Sequence, residues 1–299
     1  MTNGAQMATE VVREIRSRAE EVGVRVWLHA VEVDGTRELA VDADDPVPSA
    51  SVFKVPVAVE LARQGAAGEV DLGERITYVA GTGTMSPFGL ATYRHDVTIS
   101  WHDLAILMIG ISDNVATDLV VDRIGLPSIA RLLAELGLKH TAVPFHCDGL
   151  FQTMIEDAGG DLDDERFFSL TREELLKMRI LQPAETCRTT AEESTRLLGM
   201  VWRDEAAPAQ ACADVRNWLG HQVWPHRLRS GFHQEGIRVF GKTGTLPMVR
   251  NEIGVVEYPD GGRYAVAVFT QAHDTRAQAP ERDGFIGFAA ARAIEWLRS

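Results

Sequence analysis

Residues 237–271 read IRVFGKTGTLPMVRNEIGVVEYPDGGRYAVAVFTQ, and their patterning decides the fold. Ile237–Gly241, Asn251–Tyr258 and Tyr264–Gln271 are rich in branched and aromatic residues, and Pro259-Asp260-Gly261-Gly262 supplies the turn between the last two, so three strands are expected. A helix follows over Phe285–Arg298, with its apolar stripe running Ile286, Ala290, Ala293 and Leu297. At the other end of the chain, Val11, Ile15, Ala19 and Val22 mark an amphipathic helix. Arg25–Val33 and Arg37–Val41 then alternate around Asp34-Gly35 as a β-hairpin with a two-residue turn. Between these ends the apolar residues fall at helical spacing from Ser51 to about Trp202, as in Val55, Ala58, Val59, Ala62 and Leu104, Leu107, Met108, Ile111. Two stretches, Val79–Tyr93 and His146–Asp164, read as long loops.

This order predicts an α+β fold in which strands from both chain ends share one antiparallel sheet flanked by their helices. Residues 1–50 and 205–299 would form this discontinuous lobe, and residues 51–204 an inserted all-helical lobe, with a small-molecule cleft between the two.

Composition narrows the function. In 299 residues, 45% hydrophobic and 24% charged residues describe a globular chain, and no apolar run approaches the roughly 18 residues of a membrane helix. A net charge of −13 repels phosphate backbones, which argues against nucleic acid as a partner. Cys147, Cys187 and Cys212 show neither a disulfide framework nor zinc-knuckle spacing. His140, His146 and Cys147 lack a fourth ligand, so neither metal nor cofactor is expected. Charged residues from Glu10 to Glu21 are incompatible with a signal-peptide core. As written the chain reads as cytoplasmic, and as extracytoplasmic if it has been trimmed by processing.

Three short motifs carry the chemistry. Ser51-Val52-Phe53-Lys54 stands at a helix start and sets the hydroxyl and the amine one turn apart, where a neutral lysine can deprotonate a serine. Ser112-Asp113-Asn114 joins a hydroxyl relay to an amide able to hold a substrate amide, although the same residues also make ordinary helix caps. Lys242-Thr243-Gly244, continuing to Thr245, ends a strand with positive potential and a glycine that permits close approach. A given tripeptide arises by chance in roughly 4 of 100 chains of this length, whereas all three motifs in order and in context arise in on the order of one in a thousand or fewer.

With these motifs the chain resembles the class A serine β-lactamases and the penicillin-binding proteins. Leu104–Met108, Asn114–Leu119, Arg188–Ala191 and Val249–Val255 are similar too. The resemblance implies a β-lactamase-like fold and a serine hydrolase that works through an acyl-enzyme on an amide or ester. Ser51 would be the nucleophile, Lys54 its base, Ser112 the proton shuttle and Asn114 the holder of the substrate amide. Lys242 would supply electrostatic pull and disfavour the charged form of Lys54. Thr243 and Thr245 would meet a substrate carboxylate, Gly244 would allow close approach, and the Ser51 and Thr245 N–H groups would form the oxyanion hole.

The family's deacylating glutamate has no clear counterpart. Thr141–Cys147 holds no carboxylate, counting back from Thr189-Thr190 points to Glu173 or Glu174 in an ordinary helix, and His146 or Cys147 are substitutes by position alone. The substrate is therefore expected to be a small β-lactam, ester or peptide-like amide. A D,D-peptidase, an esterase and a β-lactam-acylated sensor without turnover are the alternatives. Trp101, Trp202, Trp218 and Trp224 read as packing residues.

Overall fold

The structure, a computed structural model, describes residues 3–160 and 169–299. Helix α1 (Asn3–Glu21) leads into strands β1 (Val24–Glu32) and β2 (Glu38–Val41). The chain then passes through β3 (Val47–Pro48) and a 3-10 turn, Ala50–Phe53, into α2 (Lys54–Ala66). Strands β4 (Arg75–Tyr78) and β5 (Val97–Ser100) precede α3 (Trp101–Gly110), α4 (Asn114–Ile124), α5 (Leu126–Glu135) and α6 (Cys147–Asp157). Next come α7 (Arg172–Lys177), β6 (Arg188–Thr189), α8 (Ala191–Trp202) and α9 (Ala209–Gly220). Strands β7 (Arg238–Leu246), β8 (Val249–Glu257) and β9 (Arg263–Ala272) and helix α10 (Pro280–Leu297) close the chain.

The main sheet has the order β2-β1-β9-β8-β7, and every neighbouring pair is antiparallel. The N-terminal hairpin and the C-terminal meander thus meet along β1 and β9, with Trp27 opposite Phe269 and Ala30 opposite Val266. The period-2 alternation sends Val26, Leu28, Ala30, Val266 and Val268 to one face, where α1 (Ile15, Ala19) and α10 (Ile286, Ala290, Ala293, Leu297) cover them. Trp27, Ala265, Ala267, Phe269 and Ile253 point the other way, into a core shared with α8 and the helices beyond. Strand β9 is therefore covered on both faces, which explains its near-continuous apolar sequence.

Helix α2 runs through that second core. Val55, Val57, Ala58, Val59, Leu61 and Ala62 are buried around its whole circumference rather than along one stripe, as befits a central helix. No helix among the described residues is long and apolar enough to cross a membrane.

Several elements differ from expectation. The turn between β1 and β2 spans residues 33–37 rather than two residues, and within it the Asp34 carboxylate pairs with Arg263, whose Nε donates to Oδ2 at 2.8 Å. The helical block also carries the short ladder of β4 with β5, and its β6 pairs with β3 just ahead of the block. Strands this short, lying within Thr- and Pro-containing stretches, leave little periodic signal. Helix α6 lies inside a segment read as loop; Cys147, Leu150 and Met154 form its buried face at helical spacing, and the His146 ring caps it by accepting from the Gly149 N–H at 3.0 Å. Residues 161–164 of that expected loop lie outside the described residues. Strand β7 runs on past Gly241 to Leu246, so Lys242 is inside the strand rather than beyond its end. The ladder to β8 continues through Thr245 opposite Arg250, and Met248 turns the chain at φ 60°.

Candidate active site

Ser51 sits in the 3-10 turn before α2, and that turn is held to the sheet at two points. Asn251 on β8, almost fully buried, donates from Nδ2 to the Pro48 carbonyl at 3.0 Å, and its Oδ1 accepts from the Thr270 N–H at 3.2 Å. Gly244 on β7 lies directly against the turn: a Cβ there would stand 2.7 Å from the Ser49 carbonyl oxygen and 3.0 Å from the Ala50 Cβ. Only glycine lets the strand approach this closely. Because β7 is the edge strand, its outward backbone groups have no neighbouring strand of the sheet to pair with, and its Thr243 and Thr245 line the same cleft as Ser51.

Lys54 follows on the first turn of α2 and is fully buried. Its Nζ donates to the Ser112 carbonyl at 2.8 Å, to Ser112 Oγ at 3.2 Å and to Asn114 Oδ1 at 2.8 Å. Burial lowers its pKa, and the nearby Asp113 and Asp118 carboxylates oppose that shift. Ser112 reaches this position with φ 64°, a left-handed conformation rare for a residue with a side chain and costing on the order of 1–3 kcal/mol. The next residue is anchored on both sides. Asp113, completely buried, caps α4 by accepting from the Ala116 N–H at 3.1 Å and ties down the neighbouring loop by accepting from the Leu90 N–H at 2.8 Å. The cap reading of this motif thus applies to Asp113, while Ser112 and Asn114 on either side face Lys54.

Lys242 is also fully buried, behind the cleft wall, and its Nζ donates to the Thr243 carbonyl at 2.9 Å. Burial, with the Lys54 charge adding to it, drives its pKa well down. Beside it Glu252 is buried too, accepting from the Leu228 N–H at 2.7 Å and from Gln222 Nε2 at 3.1 Å, and burial pushes its pKa up to about 7.

Ser51, Ser112, Asn114, Thr243 and Thr245 line one cleft of about 330 Å³. Residues not singled out in the sequence complete it. Arg227, almost fully buried, donates to the carbonyls of Gly244 and Asn251 at 3.0 and 3.1 Å and to Thr245 Oγ1 at 2.9 Å, while Asp283 balances its charge at 2.6 Å. No local pattern around Arg227 marks it in the sequence; its partners come from two strands and a helix. Trp224, expected as packing, instead lines the cleft and stacks at a tilt on Phe88, with ring centroids 5.5 Å apart. Trp101, Trp202 and Trp218 are buried as expected.

The two glutamates reached by counting do not approach Lys54. Glu173 is exposed and paired with Lys177 at 2.6 Å, and Glu174 closes the capping box of α7 with Thr171.

Residues 9–297 match the model of Beta-lactamase2, described as the beta-lactamase enzyme family. The chain belongs to this family. Among curated relatives, the beta-lactamase regulatory protein BlaB of Streptomyces cacaoi is 27% identical over 304 residues, spanning 96% of this chain and 97% of that protein. The β-lactamase of Sphaerobacter thermophilus superposes with a TM-score of 0.77 at 24% identity, over 96% of each chain. A mutant of PBP-A, solved as an acyl-enzyme complex with penicillin G, gives a TM-score of 0.75 at 20% identity over 96% of this chain and 97% of that one. The fold is that of the class A β-lactamases, and the chain is a β-lactamase-like serine hydrolase by family.

Proposed function

We propose that the protein forms a covalent acyl-enzyme on Ser51 from small carboxylate-bearing amides or esters, β-lactams among them. The observation that carries this reading is the fully buried Lys54 amine, hydrogen-bonded to Ser112 and Asn114 within the cleft that also presents Ser51. Desolvation lowers the pKa of this amine and so eases the loss of its proton, and the neutral amine that results is the base that serine needs. Ser51 Oγ bonds to the substrate carbonyl carbon while its proton passes to Lys54 Nζ. The C–N or C–O bond of the substrate then breaks, and the departing atom takes a proton through Ser112 Oγ. The N–H groups of Ser51 and of Thr245 on the edge strand stabilise the oxyanion. Thr243 and Thr245, the latter steered by Arg227, receive the carboxylate, and Asn114 holds the side-chain amide of the acyl part. Phe88 and Trp224 offer an aromatic wall to the remainder of the substrate.

Intact-mass spectrometry after exposure to penicillin G tests this. The wild type should gain the mass of one penicillin, Ser51→Ala should gain none, and Lys54→Ala should acylate at least about 100-fold more slowly, the scale of a lost general base. An equal adduct on Ser51→Ala would refute the assignment.

A further inference from the structure

The acylation just described uses neither Glu252, on β8, nor Gln222, which follows α9. Glu252 lies opposite Thr243 in the β7–β8 ladder and is almost fully buried. Its Oε2 accepts from the Leu228 N–H at 2.7 Å and its Oε1 from Gln222 Nε2 at 3.1 Å. An ionised carboxylate only accepts, so it selects the NH2 end of the Gln222 amide and leaves the carbonyl oxygen facing the other way. That oxygen meets Thr243 Oγ1 at 3.4 Å, and because a carbonyl only accepts, the Thr243 hydroxyl is the donor. These groups pass close to Gly241, where a Cβ would stand 2.9 Å from Glu252 Oε1 and 3.5 Å from Gln222 Nε2. Thr245 is wired in the opposite sense: its Oγ1 accepts from Arg227 at 2.9 Å, which leaves its own proton for a ligand.

We propose that Glu252 and Gln222 are positioning residues forming a reversible relay, which decides whether Thr243 accepts from a ligand in the cleft or donates to it and so sets the preference for a carboxylate. This rests on the acyl-enzyme reading above, in which Thr243 and Thr245 meet that carboxylate. With Glu252 ionised, the Thr243 proton is committed to Gln222, and the hydroxyl offers the substrate carboxylate only lone pairs. With Glu252 protonated, Oε2 keeps the Leu228 N–H while the new O–H on Oε1 donates to the Gln222 carbonyl oxygen. The Gln222 amide is then turned over, its Nε2 donates to Thr243 Oγ1, and the hydroxyl proton is released toward the substrate. One proton gained at Glu252 thus reverses two hydrogen bonds and converts Thr243 from acceptor to donor. Burial raises Glu252 to about 7 against the Leu228 N–H, the Gln222 amide and the facing Arg227 and Lys242 charges, so both arrangements are populated near neutral pH.

The test compares acylation by penicillin G with acylation by its methyl ester, from about pH 5.5 to about pH 8.5, a range over which the free carboxylate stays ionised. The ratio of the two second-order rate constants cancels the ionisation of Lys54 and every step common to both compounds. In the wild type this ratio, acid over ester, should fall about tenfold or more as pH rises through about 7, the scale of one lost hydrogen bond to a charged group. Glu252→Gln keeps its carbonyl on the Leu228 N–H and turns its NH2 group to Gln222, which locks the donating arrangement, so its ratio should stay flat at the low-pH value of the wild type. Gln222→Met cuts the relay and frees the Thr243 hydroxyl; its ratio should be flat too, and it is the variant read if Glu252→Gln is not recovered folded. General structural damage slows both compounds alike and leaves the ratio unmoved. His226, which lines the same cleft and which burial holds below its usual range, stays in both variants, so a step of its making would survive them. A wild-type ratio independent of pH, or a step that persists in either folded variant, would overturn the inference. No acylation of the wild type by either compound would instead refute the acyl-enzyme reading.

Discussion

Replacing Gly244 by alanine tests the link between packing and chemistry. The added methyl would lie 2.7 Å from the Ser49 carbonyl oxygen, 3.0 Å from the Ala50 Cβ and 3.2 Å from Val52 Cγ2, all on the turn that carries Ser51. Carbon and oxygen make comfortable contact at about 3.4 Å, so strand and turn must separate by about 0.7 Å, and forcing a methyl into such a seam costs roughly 1–3 kcal/mol. Neither partner is a flexible side-chain end. Asn251 pins the turn on one side, and Arg227 holds the Gly244 and Asn251 carbonyls on the other. The displacement therefore falls on the distance between Ser51 Oγ and the edge strand proposed to receive the substrate. Misplacement on the order of 1 Å costs about 100-fold in rate, so Gly244→Ala should acylate about 10- to 100-fold more slowly. Stopped-flow acylation by a chromogenic cephalosporin, with a urea melt beside it, measures both effects. Wild-type acylation in a folded Gly244→Ala protein would refute the argument that this contact sets the site.

Further predictions concern the buried acids. Burial raises Glu252 from 4.5 to about 7, so the folded protein keeps that proton after the unfolded chain has lost it, and wild-type stability falls as pH climbs through this window. At 1.36 kcal/mol per unit the loss is about 3 kcal/mol, and Glu252→Gln should remove it. Urea melts at pH 4.5 and pH 8 should give similar stabilities at the lower pH and a more stable variant at the higher; parallel pH curves would contradict this. Asp113→Ala removes a helix cap and strands the buried Leu90 N–H, costing about 2–4 kcal/mol in the same assay. A loss below about 1 kcal/mol would contradict the stabilising role of these two hydrogen bonds.

The parts of the fold legible in the sequence are those governed by local rules. Alternation in Val24–Glu32 and Arg263–Ala272 marks strands because side-chain direction has period two, and Ile286, Ala290, Ala293 and Leu297 mark a helix because they share one face. The proposed site was legible as far as its residues are neighbours in sequence: Ser51 with Lys54, Ser112 with Asn114, Lys242 through Thr245. Asn251 and Arg227 were not, because their partners are carbonyls of distant segments, and a buried arginine looks like a surface one until its acceptors are in place. Helix α6 was missed because its acidic, glycine-containing surroundings masked the spacing of Cys147, Leu150 and Met154. Counting along the chain toward a glutamate failed for the same reason: Asp118, on a different helix, fixes what faces Lys54.

Mapping the penicillin adduct by proteolysis and tandem mass spectrometry tests the central claim most directly. The account predicts a single acylated residue, Ser51, with Ser112 and Cys147 unmodified. An adduct on any other side chain, or none after prolonged exposure, would contradict it.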